Sequence, residues 1–108
     1  MKIPKQFEIR GKTWRIEYKW RLTYNKAQVL GLCDFDTRTI YIDRGIDKET
    51  KFSTFLHEWL HAVLHEYECG MDNKQSPITR DQEEDIIHAI ETELVGAFKL
   101  RFARQIPS

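Results

Sequence analysis

Hydrophobic and polar side chains alternate along the first part of the chain. One face of the segment from residue 7 to residue 20 carries four large apolar side chains: Trp14, Ile16, Tyr18 and Trp20. Polar and charged residues occupy the other face, and this period of two predicts a strand that is half buried. The dipeptide Gly11-Lys12 precedes Trp14 and predicts a hairpin whose first turn residue has a positive φ.

A second pair of strands is predicted over residues 28–33 and 38–43, joined by the segment 34–37. In the later strand Ile40 and Ile42 share one face, while Thr39, Tyr41 and Asp43 share the other. Strands with one apolar and one solvated face are typical of antiparallel sheets. We therefore expect a small antiparallel sheet of three or four strands.

The second half of the chain has helical periodicity. Asp47 is a good N-cap for a helix that runs to Glu68, and Gly70 is placed to end it in the left-handed conformation. Residues 79–82, Thr-Arg-Asp-Gln, match a capping box and begin a second helix that continues to about Arg104. The pattern predicts one α+β domain over residues 1–108, with the sheet packed on the first helix and on a second, C-terminal helix.

Composition narrows the range of partners. The chain has 108 residues, and its 17 Lys and Arg balance 17 Asp and Glu. This balance argues against a strongly basic surface for nucleic acid or membranes, although it allows a local basic face. No segment resembles a signal peptide or a membrane span, so a cytoplasmic location without a membrane partner is expected. Cys33 and Cys69 have neither disulfide-framework nor metal-ligand spacing, and we expect two reduced thiols.

The candidate chemistry lies in the first helix, in the pentapeptide His57-Glu58-Trp59-Leu60-His61. Residues four apart stack on one helix face, so His57 and His61 can each direct a ring nitrogen at one metal ion. Glu58 flanks that face and can reach a water on the metal without ligating the metal, as a general base must. The spacing therefore predicts a zinc hydrolase.

The rest of this helix is apolar on nearly every side except for one polar strip: Thr54, His57, Glu58, His61, His65 and Glu68. A helix of this kind is buried, and buried imidazoles and carboxylates need a partner. A divalent metal in a cleft provides one. His65 lies two turns beyond His57, about 12 Å along the axis. We expect it to line the cleft or to be a structural histidine, and not to ligate the same ion.

The third ligand is expected from the second helix, which offers four candidates: Glu83, Glu84, His88 and Glu91. The apolar stripe of that helix runs through Ile87 and Ile90. On periodicity Glu83 lies nearest the stripe, followed by Glu91 and then Glu84. The acidic group also suits a helix N-terminus, where negative charge is favourable. Periodicity leaves the choice of ligand open.

Four segments resemble the small zincin-fold metallopeptidase-like proteins of bacteriophages and mobile elements, which are similar in outline to the ImmA/IrrE and SprT-like groups. The segments are Gly31-Leu32-Cys33-Asp34, Thr39-Ile40-Tyr41-Ile42-Asp43, the helix from Thr54 to Ala62, and Glu83-Glu84-Asp85-Ile86-Ile87. The resemblance implies a small sheet with an edge strand above the active-site helix, and a second helix that supplies a glutamate ligand. Matching Ile87 and Ile90 to the family pattern implies that this ligand is Glu84. The Glu-x-x-Ala-Asn signature of the ImmA/IrrE-like group is absent, so the resemblance leaves the substrate open.

Together these inferences predict a zinc-dependent metallopeptidase that acts on a peptide or protein substrate. Zn²⁺ would be held by His57, His61 and Glu84, with Glu58 as general base. The strand Thr39 to Asp43 is expected to bind an extended peptide at the edge of the sheet. The candidates for stabilising the oxyanion are Tyr41, Tyr67 and His65.

Two alternatives belong to other functional classes. One is a non-catalytic zincin-fold binding or regulatory protein of phage or mobile-element origin, against which the retained Glu58 argues, because structural zinc needs no base. The other is an interaction protein without a metal, whose partner surface would be the sheet with its three Trp.

Overall fold

Six short strands and then two helices follow one another along residues 2–67 and 79–105, the parts of the chain that the computed structural model describes. Side chains are described up to residue 93. The strands are β1 (Gln6–Ile9), β2 (Lys12–Lys19), β3 (Thr23–Tyr24), β4 (Ala27–Gln28), β5 (Gly31–Asp34) and β6 (Thr39–Asp43). The helices are α1 (Lys48–Glu66) and α2 (Arg80–Gln105). The predicted α+β class is confirmed.

Four of the strands form one sheet in the order β1-β2-β6-β5, and β3 pairs with β4 in a separate two-stranded ribbon. The β1–β2 and β5–β6 pairs are antiparallel, whereas β2 and β6 are parallel, with Ile16 opposite Ile40. The sheet is therefore mixed, where the sequence predicts antiparallel pairing throughout. The parallel pair arises because the chain between β2 and β6 is long enough to hold the β3–β4 ribbon and β5, as a parallel connection requires.

The position of β6 corrects one expectation. β6 lies between β2 and β5 and pairs with both, so the strand Thr39–Asp43 has no edge to offer an extended peptide. That prediction is wrong, because hydrophobicity along a single strand does not reveal its neighbours. The terminal strand on this side of the sheet is β5.

The β1–β2 hairpin turns at Arg10-Gly11, one residue earlier than predicted. Ile9 lies opposite Lys12, and both turn residues have a positive φ, 51° at Arg10 and 76° at Gly11. Two consecutive positive φ values define the turn whose twist matches the flanking strands, and Gly11 adopts this conformation at little cost.

The core forms where α1 packs on one face of the sheet. Trp14, Ile40 and Ile42 are fully buried there, against Phe55 and Leu56 of the helix. Trp20 does not continue the buried face of β2 as predicted, and 71% of its surface is exposed. β2 ends at Lys19, and the positive φ of Arg21 then turns the chain away from the strand direction.

Both helices begin at the predicted caps. The Asp47 carboxylate accepts the Thr50 backbone N–H at 2.7 Å. The Thr79 backbone N–H donates to the Gln82 side chain at 2.9 Å, and the Gln82 backbone N–H donates to the Thr79 hydroxyl at 3.2 Å. This reciprocal pair is the predicted capping box.

The far ends of the helices differ only slightly from the predicted ones. α1 ends at Glu66 and α2 at Gln105. Gly70 and Cys69 lie outside the described residues, whereas Cys33 is half-buried against the core. In the described part of the chain, neither helix combines the length and apolar character needed to cross a bilayer.

Candidate metal centre

The two histidines of the pentapeptide lie one turn apart on the face of α1 that meets α2. The centroids of the His57 and His61 rings are 5.0 Å apart. His61 is buried, and His57 is partly exposed. The helical spacing places the two imidazoles side by side, as the sequence predicts.

Glu84 of α2 faces the same nitrogen of both rings. One carboxylate oxygen of Glu84 lies 2.9 Å from His61 Nε2, and the other lies 3.5 Å from His57 Nε2. One donor atom from each of the three residues lies within 4.8 Å of the other two. The structure therefore brings together the three residues predicted as ligands, and the 44% exposure of the Glu84 side chain shows that the group is open to solvent on that side.

The other nitrogen of each ring faces a different carboxylate of α2. His57 Nδ1 lies 2.9 Å from Glu91 Oε2, and His61 Nδ1 lies 3.3 Å from Glu83 Oε2. Glu91 Oε2 is hydrogen-bonded to His57 Nδ1, whereas His61 Nδ1 and Glu83 Oε2 lie at an ion-pair distance without forming a hydrogen bond with each other. A carboxylate that accepts an Nδ1–H fixes the ring and leaves the Nε2 lone pair for a metal. Glu83 and Glu91 are thus placed to orient the two imidazoles.

This geometry separates the four candidates for the third ligand. Glu83 is the most buried of them, with 1% of its surface exposed, as its position near the apolar stripe predicts. It nevertheless lies on the Nδ1 side of His61, while Glu84 at the margin of the stripe reaches Nε2. His88 is exposed, and its backbone carbonyl accepts a hydrogen bond from the Thr92 hydroxyl.

The spacing of these glutamates in the sequence shows that they can face both imidazoles. It does not show which of them is the ligand and which of them orient the rings. Glu84 and Glu91 are seven residues apart, two helical turns, and so share a face. Glu83 lies about 100° from Glu84 around the axis. Three carboxylates distributed over this arc can contact two facing imidazoles on both their nitrogens.

The donor set fits a divalent cation. Two imidazole nitrogens and one carboxylate oxygen are ligand types that zinc binds, and three protein ligands leave a position open for water or substrate. The carboxylates of Glu58, Glu83, Glu84 and Glu91 also surround the imidazoles in a partly buried space. Like charges so close together are unfavourable unless protons or a cation neutralise them.

Glu58 lies on the inner side of α1, against the edge strand of the sheet. Only 9% of its surface is exposed, and burial raises the pKa of its carboxyl to about 7. The nearby His57 opposes this pKa shift, and the negative charges of Glu84 and Glu91 add to it. A cation held by the imidazoles would favour the ionised form of Glu58.

Gly31 of β5 makes room for Glu58, a contact that the sequence did not predict. A Cβ at position 31 would lie 3.1 Å from Glu58 Cγ and 2.5 Å from Thr54 Cγ2. Only glycine allows the strand and the helix to approach this closely. The contact fixes β5 directly beside the candidate base.

The three oxyanion candidates have other surroundings. The His65 ring stacks on Phe35 at 4.6 Å and meets Trp14 edge to face, so it packs beside the core with 25% of its side chain exposed. Tyr41 lies on the opposite face of the sheet from Ile40 and Ile42, with Lys19 Nζ 4.9 Å from its ring centroid. Tyr67 lies beneath the Arg10 guanidinium.

Comparison of the chain with protein-family models, with curated proteins and with solved structures found no match.

Proposed function

We propose that the chain is a zinc-dependent metallopeptidase that hydrolyses peptide bonds in a peptide or protein substrate. The observation that carries the proposal is the convergence of donor atoms from His57, His61 and Glu84 within 4.8 Å, next to the buried carboxylate of Glu58. The predicted resemblance to zincins agrees with this arrangement.

Each residue of the site has a distinct part in this reaction. His57 and His61 would hold the metal through Nε2, and Glu84 would add an anionic oxygen that offsets part of its charge. Zinc bound there would supply a Lewis acid that polarises the scissile carbonyl and lowers the pKa of water toward about 7. Glu83 and Glu91 would keep the two rings in the ligating orientation.

Glu58 is placed to move the proton. Its carboxylate would accept a proton from the attacking water and return it to the nitrogen of the leaving amine. The glutamate lies on α1 close to β5, where the missing Cβ of Gly31 leaves room for its side chain. A zinc ion with a purely structural role would not need this carboxylate.

The edge strand β5 is the element best placed to hold the substrate. It terminates the sheet and passes Glu58 at Gly31. An extended peptide that pairs with the outer side of β5 would use main-chain hydrogen bonds for affinity and would lie across the site. β5 would therefore bind the extended peptide, the role that the sequence predicted for β6.

Hydrolysis of an unfolded, fluorescence-quenched protein by the zinc-loaded chain tests this proposal. We expect Glu58→Gln to retain zinc and to lose at least about 100-fold in rate, because the amide keeps the shape of the side chain but cannot accept the proton. Glu93→Gln, which changes an exposed glutamate of α2, is the matched control and should hydrolyse the substrate at the wild-type rate.

Two results would contradict the proposed function. If Glu58→Gln retains activity within about tenfold, Glu58 is not the base. If the wild-type chain binds zinc but cleaves no peptide bond in the unfolded protein, the non-catalytic zincin-fold alternative replaces the peptidase.

A further inference from the structure

A groove follows the outer edge of β5, the strand that ends the sheet beside Glu58. It has a volume of about 330 Å³, and its lining residues define what we call the edge groove: Tyr24, Leu32, Cys33, Asp34, Phe35 and Asp36. Successive residues of a strand point to opposite faces of a sheet, so a groove lined by three in a row runs along the edge of the strand. Tyr24 belongs to the β3–β4 ribbon, which therefore also borders the groove.

The register of β5 shows which backbone groups face the edge groove. The Asp43 backbone N–H donates to the Leu30 carbonyl at 2.9 Å. Alternate residues of an antiparallel strand exchange hydrogen bonds with the partner strand, so the even-numbered residues of β5 direct their backbone groups to β6. Those of Gly31 and Cys33 point away from β6, toward the edge groove. A polypeptide that adds to β5 would pair at these two residues.

The lining of the edge groove combines negative charge with apolar and aromatic surface. Asp36 is exposed and Asp34 is partly exposed, while 51% of Tyr24 is accessible. None of the six lining residues is a cation. A Lys or Arg side chain has the matching chemistry, because its charged end pairs with carboxylates and with the face of an aromatic ring, and its stem packs on apolar groups such as Leu32.

The turn that follows β5 holds the two carboxylates in place. Asp34 Oδ1 accepts the Asp36 backbone N–H at 3.1 Å and the Thr37 backbone N–H at 3.3 Å. The Asp34 side chain is thereby fixed at the end of the strand, and Asp36 is kept next to it. A charge that is already positioned loses less conformational freedom when it binds a ligand.

The charges on the inner strand β2 are too distant to reverse this selectivity. Arg15, Glu17 and Lys19 share the face that carries Asp34, and none of the three lines the edge groove. They are three interstrand spacings, about 14 Å, from a strand added to β5, whereas surface charges are screened over about 8 Å. Lys19 Nζ is already engaged with the Tyr41 ring, 4.9 Å from its centroid. An added strand therefore meets the aspartates of the edge groove first.

We propose that the edge groove is a specificity site for a Lys or Arg side chain, so that the substrates are extended segments with a basic residue near the cleaved bond. This inference rests on the proposed peptidase function. Asp34 and Asp36 bind the cationic end, Tyr24 contacts it through its ring, and Leu32 packs against the stem. Asp34 lies three residues beyond Gly31, about 10 Å along the strand, which places the basic residue two or three positions from the bond beside Glu58.

An apolar side chain is the other occupant to consider, and the aspartates disfavour it. Covering Asp34 and Asp36 with an apolar group would remove water from two carboxylates without giving them a partner, which is unfavourable. A Lys or Arg side chain covers the same apolar surface with its stem and pairs with the carboxylates. An acidic side chain would meet two like charges.

Peptide binding to the zinc-loaded Glu58→Gln protein tests the proposal without interference from cleavage. The probe is a fluorescein-labelled peptide in which lysine alternates with threonine. In its two counterparts the lysines are replaced by norleucine, which keeps the stem and lacks the charge, or by glutamate. Fluorescence polarisation measures binding even if the wild-type chain proves to have no peptidase activity, so failure of the two proposals can be distinguished.

The groove variants are Asp34→Asn and Asp36→Asn, which remove charge and keep the shape of the side chain. The amide oxygen at position 34 still accepts the two backbone N–H groups of the turn. We expect the double variant to bind the lysine peptide about tenfold more weakly and to leave binding of the norleucine peptide unchanged.

The matched control is Glu8→Gln, which removes the same charge from an exposed residue of the opposite edge strand β1. Position 8 lies about 14 Å from β5 across the sheet, so this variant should bind the lysine peptide as the parent does. An equal loss in Glu8→Gln, or unchanged binding of the lysine peptide in the double groove variant, would overturn the proposal.

A charge exchange provides the second arm. Asp36→Lys should weaken the lysine peptide further and strengthen the glutamate peptide, a gain that misfolding cannot produce. If the norleucine or the glutamate peptide binds the parent at least as tightly as the lysine peptide, the edge groove does not select a basic side chain and the proposal is wrong.

Discussion

At the scale of single residues, the candidate centre depends on the two nitrogens of each imidazole having different neighbours. Glu84 faces Nε2 of His57 and His61, while Glu91 and Glu83 face the Nδ1 atoms. One helix thus contributes both the third candidate ligand and the groups that orient the other two. When one of these three glutamates is substituted, the effect on zinc binding is expected to depend on whether that glutamate faces an Nε2 or an Nδ1 atom.

Glu91→Gln is expected to lower zinc affinity about 10- to 100-fold while the site remains formed, because the amide still accepts the His57 Nδ1–H but carries no charge. Glu83→Gln is expected to lower the affinity by a similar factor, because it removes the negative charge 3.3 Å from His61 Nδ1. Calorimetric titration with zinc measures the change. Asp85→Asn, an exposed neighbour on α2, serves as the control and should bind zinc as the parent does. Complete loss of zinc in Glu83→Gln would instead indicate that Glu83 is a ligand.

The contact between Gly31 and α1 leads to a second prediction at this scale. Gly31→Ala would place a Cβ 2.5 Å from Thr54 Cγ2, so the strand and the helix must separate and displace Glu58. Overpacking of this kind costs about 1–3 kcal/mol of unfolding free energy, which chemical denaturation measures.

Thr54→Ser removes the clashing Cγ2 and therefore tests whether this clash causes the loss of stability in Gly31→Ala. In the Gly31→Ala background we expect Thr54→Ser to recover part of the lost unfolding free energy. If Gly31→Ala is as stable as the parent, the close approach of β5 to α1 is not as the structure describes it.

At the scale of elements, α1 and α2 are attached to the molecule in different ways. α1 contributes Phe55, Leu56 and Ala62 to the main core. In the part of α2 whose side chains are described, Ile87 and Glu83 are buried, whereas Ile86 and Ile90 are each 42% exposed. Much of the described contact between the helices is therefore made by the histidines and glutamates of the candidate centre.

Because these carboxylates repel one another without a cation, we expect metal to stabilise the docking of α2. Removing zinc with a chelator should increase hydrogen exchange at backbone amides of residues 80–93, while the amides of β2 and β6 stay protected. Adding zinc back should restore the protection. Unchanged exchange in α2 would show that its docking does not depend on metal.

The sequence predicted the elements better than their arrangement. Both helix caps follow from short-range rules that involve residues close together in the chain, such as Asp47 with Thr50. The two main hairpins were predicted with shifted bounds: the first turns one residue earlier, and the predicted strand 28–33 is divided between β4 and β5. The parallel pairing of β2 with β6 was not predicted, because alternation has the same period in parallel and antiparallel strands. The exposure of Trp20 was missed because alternation does not mark where a strand ends.

At the scale of the whole molecule, α1 both carries residues of the candidate site and packs on the sheet. One side of the helix faces the glutamates of α2, and another side packs on the sheet and brings Glu58 to Gly31 of β5. Two of the candidate metal ligands and the candidate base consequently lie on one helix beside the edge strand, and α2 supplies the third candidate ligand. If the proposed function holds, this arrangement would position a substrate strand relative to Glu58 without a large movement.

The parts of the site that follow from one helix were predicted from the residues alone, and those that depend on packing between elements were not. His57, Glu58 and His61 follow from the spacing of one pentapeptide. Glu84 needed the family resemblance, because periodicity identifies the most buried position, Glu83, and the residue facing both Nε2 atoms lies beside it. The contact at Gly31 depends on which strand forms the edge of the sheet.

The zinc content of the purified chain, prepared without a histidine tag and measured by atomic absorption, tests the central claim most directly. We expect about one zinc per wild-type chain, a large loss in His61→Ala and Glu84→Ala, and retention in Asp85→Ala. Wild-type protein that holds no zinc and gains no thermal stability when zinc is added would contradict the account.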